Sequence, residues 1–232
     1  MKNLKTIVLF FIASYIIGSC KKNNETTNPI NWSEELKSSV WAGEFKYSTG
    51  NYTGLQPFSI VLNADGTLTW SDIQNSRPGG TWTNAENKIT IKFPNATSLT
   101  ADVSKEAWSN FGNPPINGFE VVNLSRSAIP TNALLDNTNW KGNFDAGILE
   151  CSLAASNKIQ ISSPFVRNDT YSIQGAGIKI NNFTGSIIAN PAYFIFSNNQ
   201  TSIKGYCLRT ILPFPPAVEI TYRHILFTAT KQ

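Results

Sequence analysis

From Val40 onward the chain alternates apolar and polar residues with a period of two, and this restricts the fold more than any other feature. Trp41, Gly43, Phe45 and Tyr47 fall on one side of the first run, and Ala42, Glu44 and Lys46 on the other. Phe58, Ile60 and Leu62 repeat the pattern, as do Leu68 with Trp70, Ile89 with Ile91 and Phe93, and Leu99 with Ala101 and Val103. Successive side chains of a strand point to opposite faces, so such runs are half-buried antiparallel strands. The segments between them carry turn residues, as in Asn63-Ala64-Asp65-Gly66, where glycine accepts the positive φ of a tight hairpin. Helix signals are confined to Ser33-Glu34-Glu35-Leu36-Lys37, with Ser33 as N-cap and acids in the first turn. A hydrophobic fraction of 41% supplies a core and excludes a disordered chain. Three cysteines in 232 residues are too few for a disulfide scaffold, and a net charge of +4 spread along the chain leaves no nucleic-acid footprint.

The chain also repeats itself. Trp41-Ala42-Gly43-Glu44-Phe45 matches Trp140-Lys141-Gly142-Asn143-Phe144, roughly 100 residues later. At a similar, slowly growing separation, Asp65 to Thr69 aligns with Asn168 to Ser172, Phe93-Pro94-Asn95 with Phe196-Ser197-Asn198, and Val121 to Leu124 with Ile225 to Thr228. The expected organisation is two homologous units, 36–130 and 136–232, joined by a short linker within Pro130 to Asn139. Seven to nine short strands per unit, joined by sequential hairpins, close into a small up-and-down antiparallel β-barrel, which removes exposed edges. The expected class is therefore all-β, two tandem barrels, with a β-sandwich as the alternative that satisfies the same alternation.

Trp-x-Gly-x-Phe on the first strand, the Asp65-Gly66-Thr67 hairpin and then Gly80-Thr81-Trp82 are similar to lipocalin-like (calycin) barrels, including those of bacterial lipoproteins. The resemblance implies that Trp41 and Trp140 pack across the closed ends of their barrels. It also implies that Gly43 and Gly142 let the first strands bend sharply.

The first twenty residues read as an address. Lys2 and Lys5 precede an apolar run from Ile7 to Ile17, too short to span a bilayer and suited to a signal-peptide core. Ile17-Gly18-Ser19-Cys20 resembles the lipobox of bacterial lipoproteins, which implies cleavage after residue 19 and acylation of Cys20. Several acyl chains anchor a protein stably without a spanning helix. Residues 20–35, polar and Asn-rich, read as the lipidated end and a flexible tether. Lys21, where an aspartate would favour inner-membrane retention, implies an outer-membrane position, facing the periplasm or the cell surface. Loss of Lys2 and Lys5 leaves a net charge of about +2, from which no electrostatic partner follows.

Chemistry-bearing residues are sparse. His224 is the single histidine and shares its strand face with Ile220, Tyr222 and Leu226, which reads as a hydrogen-bonded core histidine or a polar handle inside a barrel. Cys151 and Cys207 form either a disulfide, worth roughly 4 kcal/mol in the chain-entropy model, or two buried thiols. Asp65 reads as turn chemistry. Glu44 and Glu120 could approach across strands but are expected to point to solvent, whereas a glycosidase needs two convergent carboxyls. No nucleophile elbow, phosphate loop, dinucleotide fingerprint or metal motif is present, so neither a cofactor nor a metal is expected. Trp108 and Phe111 lie in a loop-like stretch, Ala107 to Pro115, and are candidate ligand contacts together with Trp70, Tyr171 and His224. Phe165 and the segment Leu212 to Pro216 could play the same part in the second unit. The function expected from all this is a non-catalytic, lipid-anchored binding module with a pocket for a small apolar or sugar ligand. A protein-interaction module with filled barrels, docked on another envelope component, is the alternative; a hydrolase is the least supported.

Overall fold

The computed structural model describes residues 29–47, 54–74, 76–94, 97–112, 119–145, 147–184, 190–211 and 221–232. The expected signal segment, Cys20 and Leu212 to Pro216 lie outside them. The first barrel comprises β1 (Val40–Tyr47), β2 (Gly54–Leu62), β3 (Thr67–Ser71), β4 (Ser76–Ala85), β5 (Lys88–Lys92), β6 (Ser98–Val103), β7 (Ala107–Gly112) and β8 (Glu120–Ser127). The second comprises β9 (Thr138–Phe144), β10 (Gly147–Ala154), β11 (Lys158–Ser163), β12 (Arg167–Gln174), β13 (Gly177–Ile180), β14 (Ala192–Phe196), β15 (Ser202–Ile211) and β16 (Thr221–Lys231). Within each barrel every strand pairs antiparallel with its sequence neighbour, and β1 also pairs with β8, as β9 does with β16. Both sheets are thus closed barrels, and closure, not alternation, separates them from a sandwich. Inward positions are apolar, such as Ile89 and Ile91, while Lys88 and Lys92 face out. That is the reverse of a membrane-spanning barrel, whose apolar band faces lipid.

A one-turn helix precedes each barrel: α1 (Trp32–Leu36) and α2 (Asn132–Leu135). The cap of α1 is Asn31, whose side chain accepts from the Glu34 amide; Ser33 instead donates to Asn84. Helix and barrel are wired identically in both halves. The Ser39 hydroxyl donates to Leu36 O (2.6 Å) and accepts from Trp41 Nε1 (2.8 Å). The Thr138 hydroxyl donates to Leu135 O (2.5 Å) and accepts from Trp140 Nε1 (2.9 Å). Ser38 and Asn137, one residue before each hydroxyl, both take a left-handed φ. The Trp41 and Trp140 rings are almost fully buried, and each indole N–H is satisfied locally, as a buried polar group requires. The Arg126 guanidinium lies 5.6 Å from the centre of the Trp41 ring and pairs with Glu35 of α1.

Register shows which residues are equivalent. Trp41 lies opposite Ile60 and Trp140 opposite Cys151; onward around the barrels, Trp70 takes the place of Ile161 and Trp82 that of Tyr171. Gly43 faces Leu124 and Gly142 faces Ala229. The repeat is real, but its interior alignments from sequence are displaced by one hairpin. Asn168 to Ser172 lies within β12, the counterpart of β4, not in the turn matching Asp65-Gly66. The cause is unequal hairpin lengths, which change the separation of equivalent strands from one pair to the next.

Residues 31–232 form one compact unit. The barrels are joined by a third core of Val40, Ala42, Ile73, Ala176, Tyr193, Ile195, Tyr206 and Leu208. At its centre Tyr193 OH donates to Gln174 O (2.8 Å), so the Ser59 hydroxyl donates to Tyr193 OH (2.8 Å) and still accepts from the Ala176 amide (3.1 Å). Burial pushes the Tyr193 phenol well above its ordinary pKa. Gly175, at φ +58, makes this close docking feasible, since a Cβ there would lie 2.1 Å from Ser59 Oγ.

Candidate functional site

Among the described residues, the inward side chains of each barrel pack into a core with an aromatic cluster. In the first, Trp70 stacks on Phe58 at 4.2 Å between ring centres, and both contact Phe45. Phe93 and Phe119 close over the same cluster. In the second, Phe183 and Phe227 are parallel at 5.4 Å, flanked by Phe144, Phe165 and Phe194. Trp70 and Tyr171, candidate ligand contacts by sequence, are core residues.

Trp108 and Phe111 are not on a loop. They belong to β7, where Trp108 is buried 5.3 Å from the Trp41 ring and Phe111 packs against the core. The β6–β7 register shifts between Thr100 and Asp102, and Asn110 takes φ 51, so a bulge turns Trp108 and Phe111 to one side despite their odd spacing. His224 lies on β16 opposite Leu208, and its side chain is outside the described residues. The inward face of β16 is Ile225, Phe227 and Ala229; Leu226, grouped with the histidine by sequence as apolar core, is exposed.

Cys151 and Cys207 are free and buried, so the disulfide is not formed. Burial pushes both thiols up to about 12, with Arg209 pulling the other way at Cys207. The native state holds them neutral while unfolded thiols ionise near 9, so this stability is intact below pH 9 and lost as pH rises towards 12. Urea unfolding is expected to show stability falling as pH rises through that window. Ellman's reagent is expected to leave both thiols unmodified at pH 8 until the chain is denatured. Asp65 performs the turn chemistry: Thr67 donates to it through hydroxyl and amide, which holds its carboxyl below the ordinary value.

A concavity lies between the barrels. It is a cleft of about 600 Å³ lined by both closing seams, β1–β8 and β9–β16, and by the β14–β15 turn. Its lining includes the small residues Ala42, Gly43, Gly142 and Ala229, and amides and hydroxyls such as Asn143, Asn198, Ser202 and Thr228.

Glu44 sits at this cleft, and the structure corrects its expected exposure: it is 6% exposed. Alternation placed it on the outer face of β1, and the second barrel covers that face. Glu44 Oε2 accepts from Asn123 Nδ2 (2.9 Å) and pairs with Lys204 of the second barrel (2.6 Å), while Oε1 is buried with no partner. A bulge between Glu44 and Phe45 in the β1–β8 pairing brings Asn123 opposite Glu44. Glu120 is exposed and pairs with Lys46, so the two carboxyls do not converge. The Glu44–Lys204 pair is unequal, with side chains 8% and 43% exposed. Lys204→Met, which leaves the buried carboxylate without its cation, is expected to cost about 2 kcal/mol, and Glu44→Gln less than about 1, because Lys204 can turn to water. Equal costs in urea unfolding would contradict this asymmetry.

Among the described residues no cluster of His, Cys, Asp or Glu is suited to a metal ion, and no helix is long and apolar enough to cross a membrane. The chain matches no protein-family model, no curated protein and no solved structure.

Proposed function

We propose that this is a lipid-anchored cell-envelope protein, a non-catalytic binding module held at the outer membrane by an acylated Cys20, with its ligand seated between two calycin-like barrels. The observation that carries the reading is an open cleft of about 600 Å³ between the barrels, beside an aromatic cluster packed within each of them. That volume falls in the range of small-molecule sites, about 300–1,000 Å³. The duplicated Trp-x-Gly-x-Phe strands support the calycin likeness, with each Trp buried and each Gly at a barrel seam. The lipobox supports the anchor. Native mass spectrometry of the chain purified from envelopes is expected to show a retained small-molecule adduct. Labelled palmitate is expected to be incorporated by the wild type and not by Cys20→Ala; label retained by the variant contradicts the anchor.

One observation favours a second reading, a scaffolding module with filled barrels. Val166 is 83% and Ile148 51% exposed on the β11–β12 turn and β10, around Pro164, which lies against Gly147. Co-purification of a protein partner that is lost on Val166→Lys, with no small-molecule adduct, would favour this reading.

A further inference from the structure

We propose that the inter-barrel cleft takes a neutral sugar, with Glu44 as its main hydrogen-bond acceptor; this rests on the binding-module reading and specifies its ligand class and residue. Glu44 is more than nine-tenths buried and keeps one carboxylate oxygen without a partner, an unusual arrangement in a folded protein. Glu44 lines the cleft, and a shift of its side chain about the inner torsions would present the free oxygen to a donor seated there while Asn123 and Lys204 hold the other. The vacancy is for a donor.

Charge decides which donor. Lys204 already neutralises Glu44, Arg126 is paired with Glu35, and Lys141 with Glu150. An ammonium entering beside Glu44 would meet Lys204, and an anion would meet Glu44 itself. A neutral hydroxyl satisfies the free oxygen without either repulsion. The surroundings agree: the amides and hydroxyls of Asn143, Asn198, Ser202 and Thr228 line the cleft and donate and accept alike. A pyranose carries a ring of neutral hydroxyls, which suits that lining. The duplication supplies an internal comparison. At the seam position equivalent to Glu44 and Asn123 the second barrel has Asn143 and Thr228 in regular register, so the bulge and the buried acid belong to the first seam alone.

The test is calorimetric titration of the full chain, wild type and Glu44→Gln. Maltose and N,N′-diacetylchitobiose serve as neutral probes, glucosamine and glucuronate as charged comparators. A neutral disaccharide is expected to bind the wild type, and Glu44→Gln to lose at least about tenfold in affinity with its near-UV spectrum unchanged and its thermal midpoint lowered by no more than a few degrees. Thr228→Val, on the opposite wall, is expected to weaken the same probe and keeps the test valid if Glu44→Gln unfolds. Equal binding by wild type and both variants overturns the site while leaving a binding module standing. Binding of the charged comparators alone, or of neither neutral probe at about 10 mM, overturns the ligand class. A native adduct seen alongside that failure shows that only the class was wrong; the lack of any adduct removes the underlying reading as well.

Discussion

Gly142→Ala is expected to destabilise the protein by about 3–5 kcal/mol, a cost well above that of an ordinary Gly→Ala change. A Cβ at Gly142 would lie 1.8 Å from the Thr228 carbonyl oxygen and 2.4 Å from the Ala229 Cα, and both obstacles are backbone. No rotamer relieves such a contact. Strands β9 and β16 would have to separate by more than an ångström where the barrel closes, which stretches the ladder that seals it. Gly43→Ala is expected to behave alike in the first barrel, where the Cβ would lie 2.0 Å from the Asn123 oxygen. Gly66→Ala is the control: it has room, its nearest neighbour being 3.8 Å away, and bears only the strain of φ +84, expected to cost about 1 kcal/mol. Urea unfolding followed by far-UV circular dichroism ranks the three. A Gly142→Ala cost below that of Gly66→Ala would contradict the seam geometry.

Trp41→Ala and Trp140→Ala are each expected to cost about 3–5 kcal/mol, since both rings are almost wholly buried in the core of their barrel. The hydrogen-bond wiring separates into its own contribution. Ser39→Ala leaves a buried indole N–H without an acceptor and is expected to cost about 1–3 kcal/mol. Trp41→Phe removes that N–H, so Ser39→Ala added to Trp41→Phe should cost clearly less than Ser39→Ala alone. The same cycle with Thr138 and Trp140 is expected to return a similar coupling, because the geometry is duplicated. Coupling energies near zero in both halves would show that the indole is satisfied in some other way.

Strand content and duplication were legible because they depend on local pattern, whereas closure, a pairing of first and last strands, was favoured over a sandwich only by strand number and the removal of edges. Alternation marks inward residues such as Ile60, Ile91 and Val103 whatever lies beyond the barrel. What escaped depends on events that alternation cannot record. The bulge at Asn110 adds one residue to β7 and makes Trp108 and Phe111 look like loop aromatics. Glu44 obeys the outward rule, but period two says nothing of whether the outer face meets water or a second barrel. The repeat was anchored correctly at Trp41 and Trp140 and drifted between them, because hairpins change length freely while seams do not. A fuller signal was available: Leu-x-x-Ser/Thr-x-Trp-x-Gly-x-Phe begins at Leu36 and again at Leu135, and each of its polar positions has a hydrogen-bonding reason. The cleft had no sequence signature, since it is assembled from two seams far apart in the chain.

The most direct test of where ligand binds is amide chemical-shift mapping of the ¹⁵N-labelled chain titrated with a neutral disaccharide. The cleft amides of Gly43, Asn143, Ser202 and Thr228 are expected to shift together in a saturable manner, while Ile60, Ile91, Ile178 and Phe194 inside the barrels stay in place. Shifts confined to the barrel interiors, with the cleft amides unmoved, would contradict it.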